Sequence, residues 1–253
     1  MKNDLQKAGM LKRVSAFSFD LILLTCLVIA IALCLSGLLG YGDYHTQMNE
    51  AYEHYGQMYG ADVSISWEEY EKLSEADKAR YDEALKAINQ DEEVLQVYSM
   101  MVNLTLVITS VSILLSYLAL ELAVPLWFGN GQTLGKKIFG IALMRTDGVK
   151  VTPFMMFVRT VLGKYTVETM IPVLIIIMLL FQMVGLTGTF VIGLILLTQV
   201  VLLIATRTNS TLHDMLACTV AVDMASQHIF DSPEARLEYQ KRINEETAKK
   251  AKY

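Results

Sequence analysis

Three long stretches without charged residues dominate the pattern of apolar and polar positions along this chain. They are Leu21–Gly42 with 22 residues, Val94–Leu120 with 27 residues and Thr169–Thr206 with 38 residues. A 38-residue helix would be about 57 Å long, nearly twice the ~30 Å thickness of a bilayer's hydrocarbon core. The glycine-containing segment Gly185–Thr189 lies near the middle of the third stretch, so it predicts two helices joined by a hairpin turn. The pattern therefore predicts four membrane-spanning helices.

The distribution of charge predicts which side of the membrane each polar segment faces. The chain has a net charge of −5, yet Asp43–Glu93 contains 14 acidic and four basic residues, a net charge of −10. The remainder is basic, with lysine and arginine near the N-terminus and after the second apolar stretch. By the positive-inside rule, both termini and the central basic segment are predicted to be cytoplasmic and the acidic segment to face outward.

The polar segments carry signals of their own. Ser66 and Ser74 are each followed by acidic residues at capping-box spacing, which predicts helices in the acidic segment. Asp147-Gly148 lies between two β-prone runs and predicts a hairpin, to which 216–222 adds a candidate third strand. Pro153 begins an apolar run with few charges, which favours an interfacial helix.

These signals together predict an all-α polytopic membrane protein with four transmembrane helices, an outward helical insert and a small cytoplasmic β-hairpin or three-stranded cap. In chain order the predicted segments are a cytoplasmic N-terminus (1–13), helix 1 (14–40), the acidic insert (41–93), helix 2 (94–126), a cytoplasmic Gly-Lys segment with hairpin and interfacial helix (127–165), helices 3 and 4 (166–206, turn at 185–189), a cytoplasmic Leu-His-Asp segment and strand (207–226) and a charged C-terminal helix (227–253).

Ionisable residues at the edges of the apolar stretches are the candidates for chemistry. Arg13 and Asp20 lie seven residues apart, on roughly one helix face, so they are expected to pair. The predicted topology returns His213 and Asp214 to the same cytoplasmic boundary. This cluster is either a cation or proton site or a structural ion-pair network that orients the helix ends. Secondary candidates near the same boundary are Glu121, Arg159 and Glu168.

Other sites are not supported by the sequence. The segment from Asn130 to Lys137 superficially resembles a phosphate-binding loop, but Asn130 stands where the first glycine is needed and Lys137 where serine or threonine should follow. The residues show no zinc motif, nucleophile elbow or paired catalytic carboxylates. We therefore expect no enzyme activity, no cofactor, no metal site and no nucleic-acid partner.

Four motifs in order resemble the RDD family of bacterial integral membrane proteins. Arg13-Val14-Ser15-Ala16 followed by Asp20 resembles the opening of that family, and Leu212-His213-Asp214 its terminal element. Arg145 to Gly148 with Arg159 is similar to its hairpin and following arginine. The central G-x-T-x-G-K-K stretch is represented by Gly131, Thr133, Gly135, Lys136 and Lys137. Departures are Phe19 and Leu21 where many relatives have a second aspartate, and Cys218 in place of a glycine.

The resemblance implies a multi-pass protein of the bacterial cytoplasmic membrane, with cation/proton exchange among the suggested activities. Our leading hypothesis is transport of a small cation coupled to protons through the Arg-Asp-Asp cluster. The alternative is a non-catalytic accessory or assembly subunit that binds a partner through its acidic outward insert. Expected partners are the lipid bilayer, a small cation or proton, and a second copy of the chain or another membrane subunit.

Overall fold

The computed structural model describes residues 6–180, 184–206 and 208–250. The chain divides into two compact units. The first, here called the core unit, contains the residues up to Val28 and those from Ile113 onward. The second, here called the insert unit, is Ile29–Ser112.

Among the described residues, four helices are long and apolar enough to cross a membrane: Met10–Leu38, Glu92–Phe128, Pro153–Leu179 and Gly185–Ala205. The prediction of four candidate spans and a mostly helical protein is thereby confirmed. The elements are α1 Met10–Leu38, α2 Tyr41–Tyr59, α3 Trp67–Glu71, α4 Glu75–Ile88, α5 Glu92–Tyr117, α6 Val124–Phe128, α7 Leu134–Ile138, β1 Ile141–Arg145, α8 Pro153–Phe157, α9 Ile171–Leu180, α10 Gly185–Ala205, α11 Leu212–Leu216, β2 Thr219–Asp223 and α12 Pro233–Lys250.

Two of the spans contain π-helical turns, which no sequence pattern indicated. The first π segment, Leu118–Ala123, connects α5 to α6, and the second, Val158–Met170, connects α8 to α9. π-Helical turns are rare and occur frequently at functional sites. Both segments contribute ionisable side chains to the site described below.

Two boundaries differ from the prediction. The run that begins at Pro153 was predicted to be a separate interfacial helix, but it continues without a break into the third candidate span. Gly185–Thr189, predicted to be the hairpin turn, is the first part of α10. Gly188 serves close packing there and not a turn, since a Cβ would lie 2.9, 3.0 and 3.3 Å from the side chains of Val184, Ile175 and Leu179. Residues 181–183, which connect α9 to α10, lie outside the described residues.

The β structure also differs from the predicted hairpin. β1 pairs antiparallel with β2, with Leu143 opposite Ala221. The turn predicted at Asp147-Gly148 forms, and the Arg145 N–H donates to the Val149 carbonyl oxygen at 2.8 Å. The second arm of the hairpin is limited to one bridge between Met144 and Lys150, and its other edge bonds to Phe230. On the outer edge of β2, the chain near Gln6 adds backbone hydrogen bonds of 3.0 and 3.4 Å.

Both faces of this small sheet are buried. One face packs Ile141 and Leu143 against Ala16 and Met156. The other packs Met144 and Val220 with their neighbours. An isolated two-stranded sheet is marginally stable, so burial of both faces supplies what the strands alone lack.

The insert unit has its own apolar core. Met48, Val63, Ala84, Ile88 and Val94 are buried, and four tyrosines pack against them. Ser66 forms a complete capping box with Glu69, and Ser74 accepts a hydrogen bond from the backbone of Asp77, which confirms the predicted helix starts.

Candidate functional site

Asp20 binds the start of α7 rather than Arg13. Its Oδ2 accepts a hydrogen bond from the Thr133 hydroxyl, and its Oδ1 accepts one from the Gly135 backbone N–H at 2.7 Å. A side chain at Gly135 is excluded, because a Cβ would collide with the carbonyl oxygen of Ala16 and lie 2.9 Å from the Asp20 carboxylate. The glycine of the G-x-T-x-G-K-K stretch therefore permits the close approach of α1 and α7.

The predicted pair between Arg13 and Asp20 is wrong, because each residue has other partners. Arg13 Nη2 lies 3.8 Å from Asp214 Oδ2, and its Nη1 donates to the carbonyl oxygen of Asn209 at 2.8 Å. The expected link between Arg13 and Asp214 at one boundary therefore exists. Asp20 lies nearby but is bonded to a different element.

Asp214 is the centre of a buried ion-pair network. Arg159 donates to its Oδ1 from Nε and Nη2, at 3.1 and 2.9 Å. The hydroxyls of Thr211 and Thr219 donate to its Oδ2 and Oδ1 at 3.1 and 3.3 Å. Burial alone would raise the pKa of Asp214, but the positive charge of Arg159, with contributions from His213 and Arg13, holds that pKa below its usual range. Asp214 is therefore a fixed anion.

His213 pairs with Glu168 rather than with its neighbour Asp214. Its Nδ1 lies 2.7 Å from Glu168 Oε2, and its backbone N–H donates to Oε1 at 3.0 Å. Its Nε2 is 3.7 Å from Asp214 Oδ1. Burial and the positive charge of Arg159 lower the pKa of His213, and the two carboxylates only partly oppose this. The imidazole is therefore mostly neutral at pH 7.

The two π segments are joined by a further ion pair. Lys164 Nζ lies 2.6 Å from Glu121 Oε1, and the Thr160 hydroxyl donates to the Glu121 carbonyl oxygen at 2.9 Å. Both charged side chains are almost buried, with exposed fractions of 11% and 8%. The sequence marked Glu121 only as a secondary candidate and did not include Lys164. Glu121 and Lys164 are not three or four positions apart on one helix, so no local pattern in the sequence indicates that they pair.

A cavity of about 290 Å³ lies among these groups in the core unit. Charged side chains on its wall are Arg13, Asp20, Glu121, Lys136, Arg159, Lys164 and Asp214, with His213 beside them. Apolar residues, among them Val14, Phe17 and Leu203, form the rest of the wall. The cluster predicted from the sequence is thus brought to one place, together with two of the three secondary candidates; Glu168 lies behind His213.

Lys136 is the unusual cation of this cavity. It is half-buried, and its Nζ lies 3.2 Å from the Thr133 hydroxyl that also binds Asp20. Burial and the positive charge of Lys164 lower the pKa of Lys136 to about 7, although Glu121 and Asp20 oppose the shift. This amine therefore exchanges its proton near neutral pH.

Two polar atoms at the site have no hydrogen-bond partner within the described residues. They are Glu121 Oε2 and Arg159 Nη1. Buried polar atoms are rarely left unpaired, because their desolvation costs about 1–3 kcal/mol. Both residues belong to the cavity wall, and the two unpartnered atoms themselves are buried beside it. Among the described residues no three His, Cys, Asp or Glu side chains are arranged to hold a metal ion.

Gly131, also part of the central motif, shapes the site indirectly. Its φ is +69°, and a Cβ there would lie 2.9 Å from Leu143 Cβ in β1. The glycine turns the chain from α6 towards Thr133 and lets it pass directly over the sheet.

Comparison with known proteins agrees with the resemblance noted in the sequence. The model of the RDD family, a membrane family, matches residues 7–218. The match covers most of the chain, so the protein belongs to this family. No curated protein and no solved structure matches the chain.

Proposed function

We propose that this RDD-family membrane protein exchanges a small monovalent cation for a proton, with no chemical conversion of either. Lys136 carries the proton, and Glu121 Oε2 supplies the ligand for the cation. The observation that carries the proposal is an amine with a pKa of about 7 in the same cavity as an unpartnered, buried carboxylate oxygen.

The charges of the cavity support a one-for-one exchange. With Lys136 neutral, Arg13, Arg159 and Lys164 balance Asp20, Glu121 and Asp214. Either a proton on Lys136 or one monovalent cation beside Glu121 brings the sum to +1. Both together bring it to +2, which Coulomb repulsion in a partly dehydrated cavity disfavours. Each ion therefore excludes the other.

Asp20 and Asp214, the aspartates of the original hypothesis, have a different role in this proposal. Every carboxylate oxygen of both residues already accepts a hydrogen bond within the core unit. Each of these oxygens is thus already engaged by a donor of the protein, unlike Glu121 Oε2. Instead, they fix α1, α7 and α11 around the cavity, which is the structural alternative considered for the cluster.

The test uses the purified protein in liposomes with a pH-sensitive dye inside. A sodium or potassium gradient is expected to drive proton movement with the wild type, and Lys136→Gln and Glu121→Gln are expected to reduce it at least tenfold. Lys137→Gln is the matched control, because the adjacent lysine is exposed and lies 3.7 Å from the Phe128 ring centre. Wild-type flux equal to that of empty vesicles would remove the proposal, and so would full activity of Lys136→Gln.

A second candidate function is favoured by the insert unit. This unit has its own apolar core and carries the acidic segment of net charge −10. A self-contained acidic module suits binding of a basic partner, either another membrane subunit or a second copy of this chain. In this accessory role we place the insert outside the bacterial cytoplasmic membrane and both termini inside.

Replacing Asp43–Glu93 with a short Gly-Ser linker tests this second candidate. The shortened protein is expected to keep its folded core unit and its cation-driven flux but to lose any co-purifying subunit. Retention of the same subunit by the shortened protein would contradict the accessory role. Labelling of the insert and the termini from either side of sealed vesicles tests the orientation.

A further inference from the structure

His213 and Glu168 form a pair that the exchange at Lys136 and Glu121 does not use. The imidazole of His213 lies on the cavity wall, where the Thr211 hydroxyl is 2.9 Å from Nε2 and 3.2 Å from Nδ1. Its other ring nitrogen, Nδ1, points to Glu168 Oε2 at 2.7 Å. Glu168 is not on the cavity wall, and 18% of its side chain is exposed. The ring therefore connects the cavity to a carboxylate on its far side.

We propose that His213 and Glu168 are the route by which protons enter and leave the cavity. This inference rests on the proposed exchange function and names its proton path. A proton from the cavity binds His213 Nε2, and the proton on Nδ1 moves to Glu168 Oε2. Glu168 then releases that proton to water. The Thr211 hydroxyl, within reach of both ring nitrogens, takes the Nε2 proton and gives its own proton to Nδ1, which returns the ring to its first tautomer. Only N–H and O–H bonds form and break, and one proton moves in each cycle.

The surroundings of His213 favour an imidazole that passes a proton on over one that stays protonated. The charged groups that face the ring are Arg159 and Glu168 from the second π segment and Asp214 from α11. Because burial and Arg159 lower the pKa of His213, the neutral ring with one donor and one acceptor nitrogen dominates near pH 7. A neutral ring accepts a proton on one side while it donates on the other.

The backbone holds the pair in this geometry. The His213 N–H donates to Glu168 Oε1, so both carboxylate oxygens are fixed by one residue. On the π segment, Gly163 lies directly against α11, where a Cβ would be 2.5 Å from His213 Cβ. Gln199 on α10 also hydrogen-bonds the Glu168 side chain. The distance between imidazole and carboxylate is therefore set by three elements.

Proton flux in liposomes tests the route. Glu168→Gln keeps the shape of the side chain but cannot accept and release the proton, so flux is expected to fall at least tenfold. Glu168→Asp, which keeps the carboxyl group, is expected to restore part of the flux. Thr166→Val is the matched control in the same π segment, since its hydroxyl bonds the Val161 carbonyl oxygen. Equal flux in Glu168→Gln and Thr166→Val would overturn the route.

A second measurement separates this inference from the proposed function. Labelled histidine observed by NMR gives the pKa of His213, assigned with His213→Gln. Loss of the Glu168 charge is expected to lower that pKa in Glu168→Gln, whether or not the protein transports. An unchanged titration would overturn the pair itself. A third result is a pKa of His213 that falls in Glu168→Gln as expected while the wild type shows no proton flux. That result would keep the pair but overturn the exchange function and, with it, the route.

Discussion

The two units of this protein use charge in opposite ways. The insert unit holds most of the acidic residues, and they lie mainly on its surface, where several cap helices or form short-range pairs such as Arg80–Asp77. The core unit has the other 12 of the 26 acidic residues, and among them Asp214 and Glu121 are buried and each is paired with a cation from a distant part of the chain. A high number of charges therefore does not locate a site. Burial and long-range pairing do.

The sources of stability differ in the same way. The insert unit is held by an apolar core of aliphatic and aromatic side chains, with charges solvated around it. In the core unit the charged network itself joins α1, the second π segment and α11. Substitutions of charged residues are therefore expected to be mild in one unit and severe in the other.

The largest expected effect is that of Gly135→Ala. A Cβ at this position collides with the backbone of Ala16 and crowds Asp20, and backbone atoms cannot move aside cheaply. We expect loss of most folded protein, measured as the monodisperse fraction after purification in detergent. Gly193→Ala is the control, because nothing lies within 4 Å of a Cβ there. Equal yields of the two variants would show that α1 and α7 are not held as described.

The second-largest expected effect is the loss of stability in Asp214→Asn. It leaves the buried guanidinium of Arg159 without its counter-charge, which typically costs about 3–5 kcal/mol. Thermal unfolding in detergent measures the loss. Asp223→Asn removes the partner of Lys12 at the protein surface, where solvent screens the pair, and little loss of stability is expected. If both variants lose the same stability, burial does not separate the two pairs.

The pH dependence of stability reports on Lys136. Its pKa in the folded protein is about 7 against an ordinary value of 10.5, so between these values the unfolded chain holds a proton that the folded chain has released. Stability contributed by this residue therefore rises with pH across that window, by up to about 1.4 kcal/mol per pH unit. The melting temperature of the wild type minus that of Lys136→Gln should therefore increase as the pH is raised through this window. A constant difference from pH 7 to 10 would contradict a lowered pKa.

Ser74→Ala probes the insert unit. Loss of the hydroxyl that accepts from the Asp77 backbone should destabilise α4 by about 1 kcal/mol. Hydrogen exchange is expected to quicken in α4 while the amides of β1 and β2 stay protected. Faster exchange in the strands as well would mean that the two units do not unfold separately.

The smallest expected effect is a gain. Cys218 has a φ of +49°, a left-handed conformation that costs a residue with a Cβ about 1 kcal/mol relative to glycine. Cys218→Gly should raise stability by about that amount, and thermal unfolding checks it. Cys34→Gly, within the helical part of α1, should instead lower stability. An equal loss in both variants would show that Cys218 is not strained.

Much of the fold was predictable because its signals are local. Long uncharged stretches predicted four spans, and Ser66 and Ser74 marked helix starts through side chains that act within three residues. The strand pairing was not predictable in this way. The segment 216–222 was a candidate strand, and most of it forms β2, but its direct pairing with β1 joins residues about 80 positions apart and has no local signal.

The candidate site was predictable as a set of residues but not as a set of contacts. Arg13, Asp20, His213 and Asp214 do meet at one cavity, as their positions at the ends of the spans predicted. Lys164 was missed as a partner of Glu121, and Glu168 was not linked to His213. These pairs depend on the π segments, for which the sequence gives no periodic signal.

By itself, the sequence determined the membrane-spanning architecture, the helix starts and the family, because hydrophobicity, capping and motif spacing are properties of neighbouring residues. The tertiary structure alone decided which charge meets which. Arg13 lies two helical turns from Asp20 but pairs with Asp214, and Asp20 binds Thr133 and Gly135, more than 100 positions along the chain. Charges in a partly dehydrated site are governed by the nearest partners in space, and packing, not sequence distance, sets those partners.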